Sequence, residues 1–172
     1  MLIAHPGLLD PNFRKTVLYL SASSPKEGAF GMILNRPADR TVADLLPERD
    51  MGPLGKVPVF LGGPVGRDQL IFASFRWNTA ARKLVCKHHI AVEEAQQVVQ
   101  DEDVILRAFV GYSGWSDGQL EQELAQRAWM LKKPDQNTLD PRRTTTLWRE
   151  LMSSFGPLFR IVADAPDDPS RN

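Results

Sequence analysis

The sequence predicts an α+β fold built on a mixed β-sheet. Three observations carry that expectation. The first half alternates β-branched and aromatic runs with short turns, a pattern of antiparallel neighbours. "AVEEAQQVVQ" (91–100) then switches its apolar spacing to that of a helix, with Ala91, Ala95, Val98 and Val99 on one face. This helix stands between "KLVC" (83–86) and "VILRAFV" (104–110), and the order strand, helix, strand favours a right-handed parallel crossover. Antiparallel pairs together with parallel ones make the sheet mixed.

Along the chain, "TVLYLSA" (16–22) is the first strand, and "SPKEG" (24–28) turns it back onto "AFGMIL" (29–34). "NRP" (35–37) ends that hairpin. Thr41 and Asp44 have capping-box spacing, so a short helical turn begins there, with Val42, Leu45 and Leu46 on one face. "PERDMGPLGK" (47–56) has loop composition. "VPVFL" (57–61) is a strand whose Pro58 cannot donate to a ladder, which puts it at a sheet edge or at the strand's start. "QLIFASF" (69–75) is a further strand. Leu147, Trp148, Leu151, Met152 and Phe155 stripe a helix over 144–155, stopped by Gly156-Pro157. One domain is expected over 1–163, and the acidic, proline-rich 164–172 is expected to fray.

A chain of 172 residues buries roughly 70% of its unfolded surface, enough for a core without staples. Acidic and basic residues balance at 21 each, so no global field steers the protein toward nucleic acid or an anionic membrane. The single cysteine, Cys86, excludes an internal disulfide and any multi-cysteine metal centre, and it fits a reducing compartment. No apolar run is long enough to span a bilayer, and "MLIAHPGLLDPNF" lacks the basic lead of a signal peptide. A cytoplasmic location with no membrane association is expected.

"FVGYSGWSDGQLEQELAQRAW" (109–129) passes from strand to helical pattern through three glycines and admits three readings. As a G-x-S-x-G nucleophile elbow, Gly111-Tyr112-Ser113-Gly114 fits until Trp115 stands in place of glycine, and no histidine follows Ser113. As a phosphate cradle, the loop lacks a lysine and carries Asp117 in the first helical turn. The structural reading accounts for more residues. Ser116 and Gln119 form a capping box, Trp115 and Leu120 a hydrophobic staple, and Glu123 and Arg127 an i,i+4 pair, while Leu120, Leu124 and Ala128 face the core. A serine hydrolase using Ser113 stays as the alternative.

"DPNFRKTVLYL" (10–20), "GMILNRP" (31–37), "FLGGPV" (60–65) and "GYSGWSDGQLEQELAQRAW" (111–129), in this order, resemble the YqgE/AlgH family of bacterial proteins. The resemblance covers the chain to about residue 131, and "TLDPRRTTTLWRELM" (138–152) matches a later helix more loosely. It implies a compact domain whose mixed sheet curls toward a barrel, with helices packed outside. It brings no agreed activity and no catalytic residues; the AlgH name carries a proposed role in regulating transcription.

The motifs place Asn35 and Arg36 at one strand end, Gly62 and Gly63 at another, and Tyr112, Ser113, Gly114 and Trp115 at a third. Loops at strand ends converge, so these residues would line one cleft, with Arg36 recognising a carboxylate or phosphate and Asn35 orienting it. The plainer account makes Asn35-Arg36-Pro37 a turn with a solvated arginine and Gly62-Gly63-Pro64 a chain reversal.

Other clusters carry less. Cys86 and His88 would share a strand face with His89 pointing away, and His5 is the one other histidine, so no metal is expected. "EE" (93–94) and "DED" (101–103) read as solvated carboxylates. Arg127, Lys132, Lys133, Arg142, Arg143 and Arg149, set against Asp135 and Asp140, form a basic stretch with no nucleic-acid reader motif beside it, so weak DNA binding is a lesser alternative. The combined expectation is a non-catalytic module without a cofactor. It would bind a protein partner or a small anionic ligand, with transcriptional regulation as the setting the resemblance suggests.

Overall fold

The computed structural model describes residues 1–24 and 28–165. Its strands are β1 (Leu2–Ala4), β2 (Val17–Ser24), β3 (Gly28–Ile33), β4 (Pro37–Thr41), β5 (Pro58–Leu61), β6 (Val65–Asn78), β7 (Lys83–Ile90), β8 (Val104–Trp115) and β9 (Trp129–Leu131). Its helices are α1 (Val42–Leu45), α2 (Val92–Val98), α3 (Gln119–Ala125), α4 (Leu147–Ser153) and α5 (Pro157–Asp164). The class is α+β, as expected, on one mixed sheet ordered β4-β5-β8-β3-β2-β1-β9, with β6 on β8 and β7 on β6. The sheet stays open and does not complete a barrel.

β8 organises the sheet. It runs parallel to β5 (Leu61↔Val110) and antiparallel to β6 (Ser74↔Leu106) and β3 (Gly31↔Ser113). β7 and β8 are each antiparallel to β6, so they run in the same direction with β6 between them, and α2 carries the chain across. Alternation along β8 feeds two cores. Phe109 joins Leu2, Ile3, Leu18, Phe75 and Met152 in the larger one. Leu106 and Ala108 join Val42, Leu54, Phe72 and Ala95 in the smaller one, against α1 and α2.

The local signals acted largely as read. The Thr41 N–H and hydroxyl both donate to Asp44 Oδ2, at 2.7 and 2.9 Å, and start α1. Pro58 is the first residue of β5, which is an interior strand between β4 and β8, so the strand-start option holds and the edge option does not. Ala91 proves to be the exposed N-cap of α2, and the buried face is Ala95 with half-buried Val98 and Val99. The stretch 47–56 contains a short 3-10 turn, Gly52–Lys56. Leu147, Trp148, Leu151 and Met152 are buried on α4, and Trp148 Nε1 donates to the Ala4 carbonyl at 2.8 Å, docking that helix on β1.

Four elements go beyond the sequence expectations. β1, β4 and β9 are short, three to five residues, and too brief for periodicity to register. α5 follows directly on the Gly156-Pro157 stop, because proline at the first helical position starts a helix as readily as it ends one. Its buried side consists of little more than Ala163 and half-buried Phe159, while Leu158 and Ile161 are 77% and 67% exposed. The 25–27 part of the first hairpin turn and residues 166–172 of the expected fraying tail lie outside the described residues. Asp164, at the head of that tail, pairs with Arg149.

Arg107 is the unexpected member of the interior. It lies on β8 at 3% exposure. Its guanidinium donates to the carbonyls of Leu34 and Leu139 at 2.9 and 3.0 Å and stacks over the Phe60 ring at 4.2 Å. It has no carboxylate partner among the described residues. Burial pushes its pKa down to about 10.

Candidate functional site

The chain brings three motif segments together where β3 and β8 part. The Gly62 N–H donates to the Val110 carbonyl at 2.9 Å, and the Gly62 carbonyl accepts from Ile33 N–H at 3.0 Å, so Gly62 bridges the two strands. The crossing is tight. A Cβ at Gly62 would lie 2.2 Å from the Gly111 carbonyl oxygen, and one at Gly63 would lie 2.2 Å from that of Tyr112. Gly63 also has φ +156°, at the border of the region side chains avoid. The glycine pair is required by close approach, whatever else it does.

Arg36 and Gly63 line one cavity of about 130 Å³, together with Asn12, Ile33, Leu61, Arg67 and Val110. The segment 10–14 closes over it. Asp10 Oδ1 accepts the Asn12 N–H at 2.7 Å and fixes a turn, and Arg36 clasps that turn through the carbonyls of Asn12 (2.6 Å), Pro11 (3.0 Å) and Arg14 (3.0 Å). Arg67 reaches the same turn, donating to Asn12 Oδ1 at 2.9 Å. Burial holds the Arg36 pKa below its usual value; nearby Asp10 pulls it back up, and nearby Arg67 presses it further down. Two guanidiniums thus share one small space. Asn12 and Arg67 were not among the residues expected here, although Asn12 lies within the "DPNFR" motif that carried the resemblance.

The other expected cleft residues have different work. Asn35 extends the sheet by imitating backbone: its Oδ1 accepts the Val17 N–H at 2.8 Å and its Nδ2 donates to the Lys15 carbonyl at 2.9 Å. Ser113 is fully buried, and its Oγ donates to the Gly62 carbonyl at 3.1 Å. A hydroxyl so placed is neither accessible nor free to be deprotonated toward a substrate, which removes the basis of the hydrolase alternative. The Tyr112 ring leans on Phe30 with centroids 5.0 Å apart, and Gly114 packs against that ring. Trp115 is in the larger core.

The expected joint at 111–118 is corrected both in where the strand ends and in where the helix starts. "GYSGW" is not a turn but the second half of β8, and its ladder continues to Trp115. The turn comes later, at 116–118. Gln119 Oε1 accepts from the Ser116 N–H at 3.0 Å, one half of the expected capping box; the other half does not form, because α3 begins at Gln119 with Gly118, not Ser116, as its N-cap. Trp115 and Leu120 are both buried, but with Gly118 as N-cap they no longer hold the two positions of a staple. The Glu123–Arg127 pair is absent. Arg127 lies beyond the end of α3 at φ 58°, and Glu123 Oε2 instead accepts two indole N–H groups, from Trp115 at 2.9 Å and Trp129 at 2.7 Å. Periodicity had no means of weighing a contact to a residue beyond the helix.

His89 does not point away from His88. A bulge between Phe72/Ile90 and Ala73/His88 leaves His89 at φ 54° and brings the two Nδ1 atoms within 2.7 Å, with Phe30 stacked on His88. Cys86 has its pKa pushed up to about 12 by burial, partly offset by a hydrogen bond with Ser21, so it is a poor thiolate donor. Among the described residues no group of three potential metal ligands forms.

Three of the six 127–149 bases are ion-paired within the chain. Arg142 pairs with Asp140, Arg143 with Glu150 and Asp135, and Arg149 with Asp164. Lys132 donates to the Ser154 hydroxyl.

Comparison with known proteins agrees on one family. A family model described as AlgH-like matches residues 1–160, reaching well past the last of the four motifs. A UPF0301 protein of Streptomyces coelicolor is 33% identical over 183 residues, spanning 100% of this chain and 93% of its own. One from Mycobacterium ulcerans is 33% identical over 181 residues, spanning 100% of this chain and 89% of its own. Among solved structures, the AlgH protein of Pseudomonas aeruginosa is similar with a TM-score of 0.66 at 25% identity, covering 97% of this chain and 93% of that one.

Proposed function

The chain belongs to the AlgH-like family, and from that premise we propose that it is a binding module whose ligand is a small anion held in the Arg36–Arg67 cavity. The carrying observation is the pair of guanidiniums in one small space, walled otherwise by Asn12, Ile33, Leu61, Gly63 and Val110. Each cation disfavours the charge of the other, and an anion between them relieves that repulsion. Arg36 is held rigidly by three carbonyls, so it offers a fixed positive field, while exposed Arg67 supplies the movable fork. The reading is non-catalytic because the hydroxyl nearest the crossing, Ser113, is occupied by Gly62.

A cytoplasmic, regulatory setting extends the proposal. The free thiol of Cys86 supports the first part; the family resemblance alone supports the second. No described helix is long and apolar enough to cross a membrane.

Titration with sodium phosphate and sodium acetate, followed by amide NMR, tests the site. Saturable shifts at Gly63 and Val110 are expected in the wild type and are expected to vanish in Arg67→Gln. Equal binding by Arg67→Gln removes the proposal. The protein-partner reading is favoured by a separate observation, the exposed Leu158 and Ile161 on α5. Sedimentation of the wild type against Leu158→Ser tests its simplest form, a second copy of this chain.

A further inference from the structure

A second groove shares no residue with the Arg36 cavity. It runs between the turn joining β6 to β7 and the segment 133–137, in two lobes of about 760 and 460 Å³. The lobes have Trp77, Thr79, Gln136 and Asn137 in common. Both volumes fall in the range of small-molecule sites, about 300–1,000 Å³.

The chemistry differs from end to end. Trp77 is rooted in the larger core and lines both lobes, so it presents a rigid aromatic surface. Arg82 and Lys133 line the larger lobe, and neither is in an ion pair among the described residues. The acid of that lobe, Asp135, has its Oδ1 engaged by the Asn137 N–H at 2.9 Å, the Thr138 hydroxyl at 3.2 Å and the Arg143 guanidinium at 3.5 Å. Arg82 adopts φ 46°, a conformation that glycine would take without strain, so a cationic side chain is kept there at a conformational cost. The smaller lobe is of opposite character: it contains Asp103, and its one cation, Arg76, is paired with Asp101.

We propose that this groove binds a mononucleotide-like ligand, a planar heteroaromatic ring carrying one anionic group. The ring lies against Trp77, the anion sits between Arg82 and Lys133, and the amides of Gln136 and Asn137 meet the polar edges of the ring. The carboxylate of Asp103 accepts a sugar hydroxyl or exocyclic amino group and opposes a second phosphate. That acidic end argues for a monomer over a continuing strand, as does the internal pairing of Arg142, Arg143 and Arg149.

The full chain is titrated with adenosine 5′-monophosphate, ribose 5-phosphate and adenosine, following the Trp77 indole N–H, assigned with Trp77→Phe, by NMR. The mononucleotide should shift Trp77 and Asn137 saturably and bind about tenfold tighter than either fragment. Arg82→Gln and Lys133→Gln, both at exposed positions, should each weaken it about tenfold without lowering the melting temperature, and Arg67→Gln should leave it unchanged. The assignment is overturned by an unmoved Trp77 resonance at millimolar mononucleotide. Equal affinity for ribose 5-phosphate also overturns it, as does a single-stranded oligonucleotide that binds tenfold tighter.

Discussion

The indole N–H of Trp129 donates to Glu123 Oε2 at 2.7 Å, reaching back from β9 to the helix that precedes it. The same oxygen takes Trp115 Nε1 at 2.9 Å from the end of β8, and Oε1 takes Gln119 Nε2 at 3.0 Å. One carboxylate therefore fastens α3 to the strands on either side of it. Glu123→Ala strands both indoles and should cost about 2–3 kcal/mol in urea unfolding. Arg127→Ala, which touches none of this, should cost under about 0.5 kcal/mol. Equal losses in the two variants would restore the surface ion pair that spacing suggested.

Ser113 tests the alternative chemistry. Its hydroxyl is buried and given to the Gly62 carbonyl. Ser113→Ala should lose about 1 kcal/mol of stability. Neither the wild type nor the variant should react with a fluorophosphonate probe, and labelling that disappears with Ser113→Ala would bring the hydrolase reading back.

What was legible in the sequence follows the range of each signal. Thr41 with Asp44, and Ser116 with Gln119, are contacts three residues apart, and both form. The apolar stripe of α4 is equally local and is buried as read. Arg36 and Gly63 could be suspected of meeting because both end strands, and they do line one cavity. Asn12 and Arg67 enter that cavity across 24 and 55 positions of sequence, through hydrogen bonds that no periodicity encodes. His89 eluded the reading for a different reason: one residue bulged at φ 54° reverses the side-chain alternation on which its placement depended. Arg107 looked like one polar residue in an apolar strand, and only the fold supplies the two carbonyls and the ring that receive it.

Arg107 should therefore be among the costliest single positions. Arg107→Ala removes a packed side chain and leaves the carbonyls of Leu34 and Leu139 without their donor, a loss of about 3–5 kcal/mol. Arg107→Lys keeps the charge but cannot span both carbonyls with a planar fork, so it should recover less than half of that. Chemical denaturation of the three proteins checks the ranking. A Lys variant as stable as the wild type would mean that charge alone, and not the two-armed geometry, holds the 139 segment to the end of β3.

His88 and His89 give the fold an acid-sensitive point. Their Nδ1 atoms are 2.7 Å apart, a contact in which one ring donates and the other accepts, so it requires that at least one stay neutral. Burial, then the neighbouring His89, hold the His88 pKa below its usual 6.5. Between the folded and unfolded values the unfolded chain binds more protons, so this stability is fully present above about 6.5 and is lost as pH falls from there through the lower folded value. His88 is half-buried beside exposed His89, so solvent screens part of the effect and the fall in melting temperature between pH 7 and pH 5 should be small. His89→Asn removes the second charge while keeping a residue tolerant of positive φ, and it should flatten that part of the profile. Parallel melting curves of wild type and variant across pH 5–7, with the same slope, would show that His89 does not act on His88 and that the acid response lies elsewhere.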